Sequence, residues 1–71
     1  MTQSEKILRH LEEYGTITPM EAMQEYGIMR LASRITDLKK AGHIITTNMV
    51  RGHNRFGEKT RYASYSLEKE E

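Results

Sequence analysis

The sequence predicts an α+β fold that is mainly α: three helices followed by a two-stranded antiparallel β-hairpin, in one domain spanning residues 1–67. Three observations carry this. Apolar residues recur at helical spacing in three consecutive stretches, two of them opened by a Thr-x-x-Glu cap signature and each closed by a glycine. After Gly42 the period changes to that of extended chain. Finally, 71 residues with one Pro, five Gly and no Cys have room for a single core. A chain of this size buries only ~60% of its unfolded surface, and here neither disulfides nor thiolate metal sites reinforce it.

The first helix is expected from about Gln3 to Tyr14. Thr2 and Glu5 can each take the other's backbone N–H, Ile7, Leu8 and Leu11 share a face, and Gly15 suits a left-handed cap. Residues 16–18, Thr-Ile-Thr, are too short for an independent strand, but as a stub they can pair with a strand elsewhere. A second helix should begin near Pro19, whose missing N–H is harmless at the first helical position, with Thr18 and Glu21 as the reciprocal cap. It runs through Ala22, Met23 and Tyr26 and stops at Gly27, and Met20 and Met23 are expected to fill the core against the first helix.

The third helix is expected over 28–41, with Ile28, Leu31, Ala32, Ile35 and Leu38 at helical spacing and the basic pair Lys39-Lys40 in the last turn, where the helix dipole favours cations. The hairpin occupies 43–67. His43 to Arg51 is rich in β-branched residues, and Thr60 to Leu67 alternates, with Ala63, Tyr65 and Leu67 on one face and Tyr62, Ser64 and Ser66 on the other. Gly52 to Glu58 reads as a polar connection longer than a tight turn; Phe56 at its tip can stack or wedge as an exposed aromatic, but is rather expected to fold back onto the hairpin. The charged tail 68–71 has nothing to bury and is expected to be disordered.

A formal net charge of +1 looks uninformative until it is resolved along the chain. Residues 1–27 carry Lys6 and Arg9 against Glu5, Glu12, Glu13, Glu21 and Glu25, a net of −3. Residues 28–67 carry eight Lys and Arg against Asp37 and Glu58, a net of +6, and the tail is acidic. A near-neutral protein with a basic second half is suited to meet a polyanion on one face.

Helix, stub, short helix, glycine turn, longer helix and hairpin is the order of a winged helix-turn-helix, in which the second helix braces the third so that the third can enter a DNA major groove. Opposite its apolar stripe the third helix is expected to show Arg30, Ser33 and Asp37, flanked by Met29, Arg34 and Lys40. Arg can bond a guanine edge bidentately, Ser can donate or accept, and Lys40 can neutralise a phosphate. Asp37 can accept from a cytosine amino group or orient Arg34 or Arg30. In the hairpin Arg51, His53, Asn54, Arg55, Lys59 and Arg61 gather at and beside the tip, the make-up of a wing lying along phosphates or reaching a minor groove. Each surface alone also fits an ordinary solvated face.

The chain resembles the small helix-turn-helix domains common in phages and prophages. The likeness lies in Ile7-Leu8-x-x-Leu11, in the run Gly15 to Ala22, in Tyr26-Gly27-Ile28-x-Arg30-Leu31-Ala32-Ser33-Arg34-Ile35-x-Asp37-Leu38-Lys39, and in Arg61-Tyr62-Ala63-x-Tyr65-x-Leu67. The resemblance implies a three-helix winged fold and DNA binding with the third helix as recognition helix, but no target sequence. The hairpin tip is longer and more basic than such domains lead one to expect.

Catalysis is not expected. Glu12 and Glu13 point about 100° apart on a helix, His10, His43 and His53 lack metal-ligand spacing, and no glycine-rich phosphate loop is present. The partner expected is double-stranded DNA, with a homodimer or a second protein supplying further contacts. No small-molecule substrate, cofactor or metal is expected. The first residues lack an apolar stretch, so neither a signal peptide nor a membrane span is expected, and the protein is placed in the cytoplasm of a bacterial or infected cell. The competing reading is a winged-helix protein-interaction module, such as a phage-encoded inhibitor or accessory factor.

Overall fold

Both Thr-x-x-Glu signatures form complete capping boxes in the computed structural model, which describes residues 1–68. Helix α1 (Gln3–Tyr14) opens with the Glu5 N–H donating to Thr2 Oγ1 at 3.1 Å and the Thr2 N–H donating to Glu5 Oε1 at 3.3 Å. The Thr2 backbone N–H, then its hydroxyl, hold the Glu5 carboxyl below its ordinary value. Helix α2 (Pro19–Tyr26) repeats the arrangement with Thr18 and Glu21. Between them the stub forms β1 (Thr16–Ile17), followed after helix α3 (Leu31–Lys40) by strands β2 (Ile45–His53) and β3 (Lys59–Leu67).

The three strands make one antiparallel sheet in the order β1-β3-β2. Ile7, Leu11, Ile17, Ala22, Ile28, Leu31, Ile35, Leu38, Ile45 and Tyr65 form the core between the helices and the near end of the sheet. The predicted alternation of β3 is present: Ala63, Tyr65 and Leu67 pack on the core, and Tyr65 is buried.

Four expectations are corrected. The third helix starts at Leu31 rather than Ile28. Gly27 adopts the left-handed conformation (φ 66, ψ 22), and its N–H and that of Ile28 turn back to Met23 O and Ala22 O. The first intrahelical bond of α3 runs from the Arg34 N–H to Arg30 O, so Arg30, with non-helical backbone, is the residue that opens the helix and Ile28 belongs to the turn. Ile28 is still buried, as a turn residue, and Arg30 (φ −114, ψ 59) precedes the helix without a side-chain cap bond. At the other end Gly42 (φ 104) closes α3, its N–H reaching Lys39 O while the His43 N–H reaches Leu38 O.

Met20 and Met23 do not enter the core, being 69% and 42% exposed. In an eight-residue helix the inward stripe is Ala22 and Tyr26, four apart, and Met23 is turned about 100° from Ala22. The connection between the hairpin strands is also shorter than expected, because Gly52 and His53 belong to β2. Asn54 organises the turn: its Oδ1 accepts from the N–H groups of Phe56 and Glu58, its Nδ2 donates to Glu58 Oε1, and its carbonyl accepts from the Gly57 N–H. That geometry turns Phe56 outward, 81% exposed, instead of back onto the strands. Of the expected tail, Glu68 is tied by its N–H to Ile44 O and by its carboxylate to the Thr46 hydroxyl, and residues 69–71 lie outside the described residues.

Candidate nucleic-acid interface

The later start of α3 changes the surface it presents. Leu31, Ile35 and Leu38 form the buried stripe, so at about 100° per residue the opposite side is centred on Ser33 and Lys40, with Thr36 and Asp37 beside them. Thr36 is exposed and was not singled out from the sequence, because counting the helix from Ile28 rotates the apparent face, and Ala32, expected in the apolar stripe, is exposed as well. The Thr36 hydroxyl donates to Ala32 O at 3.0 Å and keeps an acceptor free.

The predicted residues fall into three groups. Ser33, Asp37 and Lys40 lie on the outward side of α3. Met29, 79% exposed, and the exposed Arg30 stand in the turn before the helix, where their backbone is not constrained by helical geometry. Arg34 is at the margin of the core, 36% exposed, with Nη1 3.4 Å from Asp37 Oδ2. The pair resolves the choice for Asp37 in the free protein: it holds Arg34. The Arg34 Nε is buried without a hydrogen-bond partner, which leaves unspent donor capacity on this guanidinium.

The hairpin register builds the second surface. Ile45 faces Leu67, Thr47 faces Tyr65 and Met49 faces Ala63 on the core side, and the same face continues outward with Arg51 opposite Arg61 and His53 opposite Lys59. Four basic side chains therefore share one face of the wing just past the point where the core ends. The backbone bonds Asn54 N–H to Glu58 O and Glu68 N–H to Ile44 O identify the even-numbered positions as the hydrogen-bonded pairs. Arg51 and Arg61 are consequently a non-hydrogen-bonded pair, the arrangement in which facing side chains approach most closely. Like charges directly opposite are destabilising. The described salt bridges include none to these residues. Arg55 projects from the tip, whereas Asn54 spends both ends of its amide on the turn.

Behind α3, one polar group is buried that sequence spacing did not single out. His10 of α1 is 5% exposed, its Nδ1 2.7 Å from the Tyr26 hydroxyl, with ring contacts to Tyr14 and Tyr26. Burial, followed by Glu25, Tyr14, Glu13 and Glu21, pushes the Tyr26 phenol above its ordinary value, so it remains a neutral hydrogen-bonding group. The pair fastens α2 to α1, and α2 leads directly into the turn that sets α3. Among the described residues no group of three His, Cys, Asp or Glu is close enough to hold a metal ion, and no helix is long and apolar enough to cross a membrane.

A family model described as a winged helix-turn-helix domain matches residues 2–70. No curated protein and no solved structure matches the chain at a significant level. With the three helices, the glycine turn and the β1-β3-β2 sheet in place, the match over nearly the whole chain is decisive: this protein belongs to the winged helix-turn-helix domain family, whose fold points to DNA as partner.

Proposed function

We propose that the protein is a small double-stranded DNA-binding regulator of phage or prophage type, acting without catalysis. The observation that carries this reading is the wing face on which strand register holds Arg51, Lys59 and Arg61 together despite their mutual repulsion, with His53 on the same face. A duplex phosphate backbone is the partner that converts such repulsion into binding energy. In this reading α3 enters the major groove with Ser33, Thr36, Asp37 and Lys40 toward the DNA. Met29 and Arg30 reach base edges from the preceding turn, and Arg34 exchanges Asp37 for a base or phosphate. Arg55 joins Arg51, Lys59 and Arg61 on the backbone with His53 beside them, and Asn54 serves by shaping the tip. The contacts of a single copy are few, so sequence-specific binding calls for a homodimer or a second protein.

A duplex titration at two salt concentrations, coupled to selection from a random library, tests the proposal. Roughly five phosphate contacts give a log-log salt slope of about −4 to −5, with an enriched site emerging from the library. Absence of duplex retention at low salt would refute it in favour of protein interaction.

A further inference from the structure

Strand β3 has an unfinished edge. The hydrogen-bonded pairs with β2 use the even-numbered residues of β3, so the N–H and C=O groups of Lys59, Arg61, Ala63 and Tyr65 point the other way, toward the β1 side. There β1 pairs only with Tyr65 and Ser66, because the chain leaves the sheet at Thr18 to enter α2. Among the described residues nothing of the sheet continues β1 alongside Arg61 and Ala63, although the ladder direction is already set.

Beside that open stretch runs an apolar groove of about 750 Å³, lined by Thr18, Pro19, Met20, Met23, Gln24 and Tyr62. This is within the size range, roughly 300–1000 Å³, of pockets that accept side chains or small ligands. Tyr62 is 45% exposed and stands with the two methionines that the core does not use. The opposite face of the same strand stretch carries Lys59 and Arg61, with Arg51 and His53 across from them. A strand laid on this edge would thus alternate between two environments, apolar on the Tyr62 side and cationic on the Arg61 side.

We infer that the edge of β3 between Lys59 and Ala63 is a docking slot for an extended segment of another protein, in which apolar side chains alternate with carboxylates. The segment continues β1, pairing with the Arg61 and Ala63 backbone, placing its apolar residues against Met20, Met23 and Tyr62 and its carboxylates against Lys59 and Arg61. Main-chain pairing supplies affinity, and the alternation supplies specificity. Methionine suits such a groove because its flexible thioether adapts to branched or aromatic occupants. The slot does not rest on the DNA reading, since its backbone edge and its α2 groove involve no residue of α3, although Lys59 and Arg61 are shared with the wing face.

The probe is a nine-residue capped peptide alternating glutamate and valine, added to the full chain and followed by amide hydrogen exchange and fluorescence anisotropy. Tenfold or greater slowing of exchange at Arg61 and Ala63 is expected, along with loss of binding when alternate peptide nitrogens are methylated. Met20→Gln combined with Met23→Gln should weaken the peptide about tenfold while leaving duplex binding unchanged, because both side chains are exposed and the fold does not depend on them. Equal binding of the N-methylated peptide would overturn the inference by reducing it to charge attraction. So would protection confined to Thr47 and Met49 on the outer edge of β2, protection that rises with protein concentration without peptide, which would mean a second copy in the slot, or no binding at millimolar peptide. Duplex binding measured on the same samples separates failure of the slot from failure of the DNA reading.

Discussion

Replacing Arg51 with Thr should make the protein more stable and worse at binding DNA. Arg51 and Arg61 face each other at a non-hydrogen-bonded position of the β2–β3 ladder, where side chains are closest. Thr retains strand propensity and removes one charge of a repelling pair, and cross-strand pairs are worth about 0.2–1 kcal/mol. For a chain of this size 1 kcal/mol moves Tm by about 4–8 °C, so thermal denaturation should show a rise of about 1–8 °C. Arg51→Thr/Arg61→Thr should gain less than the sum of the two single changes, because either one relieves the same repulsion. In duplex titrations the same substitution should flatten the log-log salt slope by about 0.9. Starting from a slope near −4.5, a fourfold rise in salt costs the unsubstituted protein roughly 500-fold in affinity and the variant roughly 150-fold. The opposite directions of the two readouts are the signature of a charge held in place for a ligand. A lower Tm together with an unchanged salt slope would refute the reasoning, since it would assign Arg51 a structural role instead.

Tyr26→Phe leaves His10 Nδ1 buried without its partner and should cost about 1–3 kcal/mol in urea denaturation, whereas a change within experimental error would show the contact to be incidental. Gly27→Ala meets no atom within 4 Å, so its cost of about 1–2 kcal/mol comes wholly from forcing a side chain into left-handed backbone at φ 66, and a neutral result would contradict that. Arg30→Ala should relax sequence preference and cost ~1–3 kcal/mol, while Arg55→Ala weakens all duplexes alike, and library selection on both variants distinguishes the two roles. Because the Glu5 carboxyl is held below its ordinary value by Thr2, it favours the folded α1 terminus above the normal carboxylate range and loses that contribution as pH falls through its lowered value. An acid titration followed by circular dichroism at 222 nm should accordingly be shallower in Glu5→Gln, and identical acid branches would count against the cap.

The parts of the fold that were legible in the sequence share one property: their signals act over three or four residues. Both Thr-x-x-Glu caps, Pro19 at the first helical position, the helix-ending roles of Gly15, Gly27 and Gly42, and the alternation of Ala63, Tyr65 and Leu67 follow from contacts between near neighbours, so they can be read without knowing what lies across the core. The acidic and basic division of the chain is likewise a matter of counting, and with the element order it is enough to indicate a winged helix-turn-helix and an anionic partner.

What the sequence left open depends on elements far apart in the chain or on competition for one backbone group. Ile28 has helical spacing with Leu31 and Ile35, yet it is buried in the turn that the left-handed Gly27 opens and the non-helical Arg30 closes, so α3 begins three residues later and Thr36 replaces Arg30 on the outward side of the helix. Met20 and Met23 have the composition of core residues, but the inward stripe of an eight-residue helix is already filled by Ala22 and Tyr26. His10 gains a role only when α2 brings Tyr26 against it. By itself the sequence determined the elements, their order and the sign of the charge each carries, because those are set by local backbone chemistry. Only the tertiary structure decided that Arg51, His53, Lys59 and Arg61 share one face and that the edge of β3 is left open. Strand register and the early departure of the chain at Thr18 are set by burying Ile17, Ile45 and Tyr65 together, a contact between residues that the sequence keeps far apart.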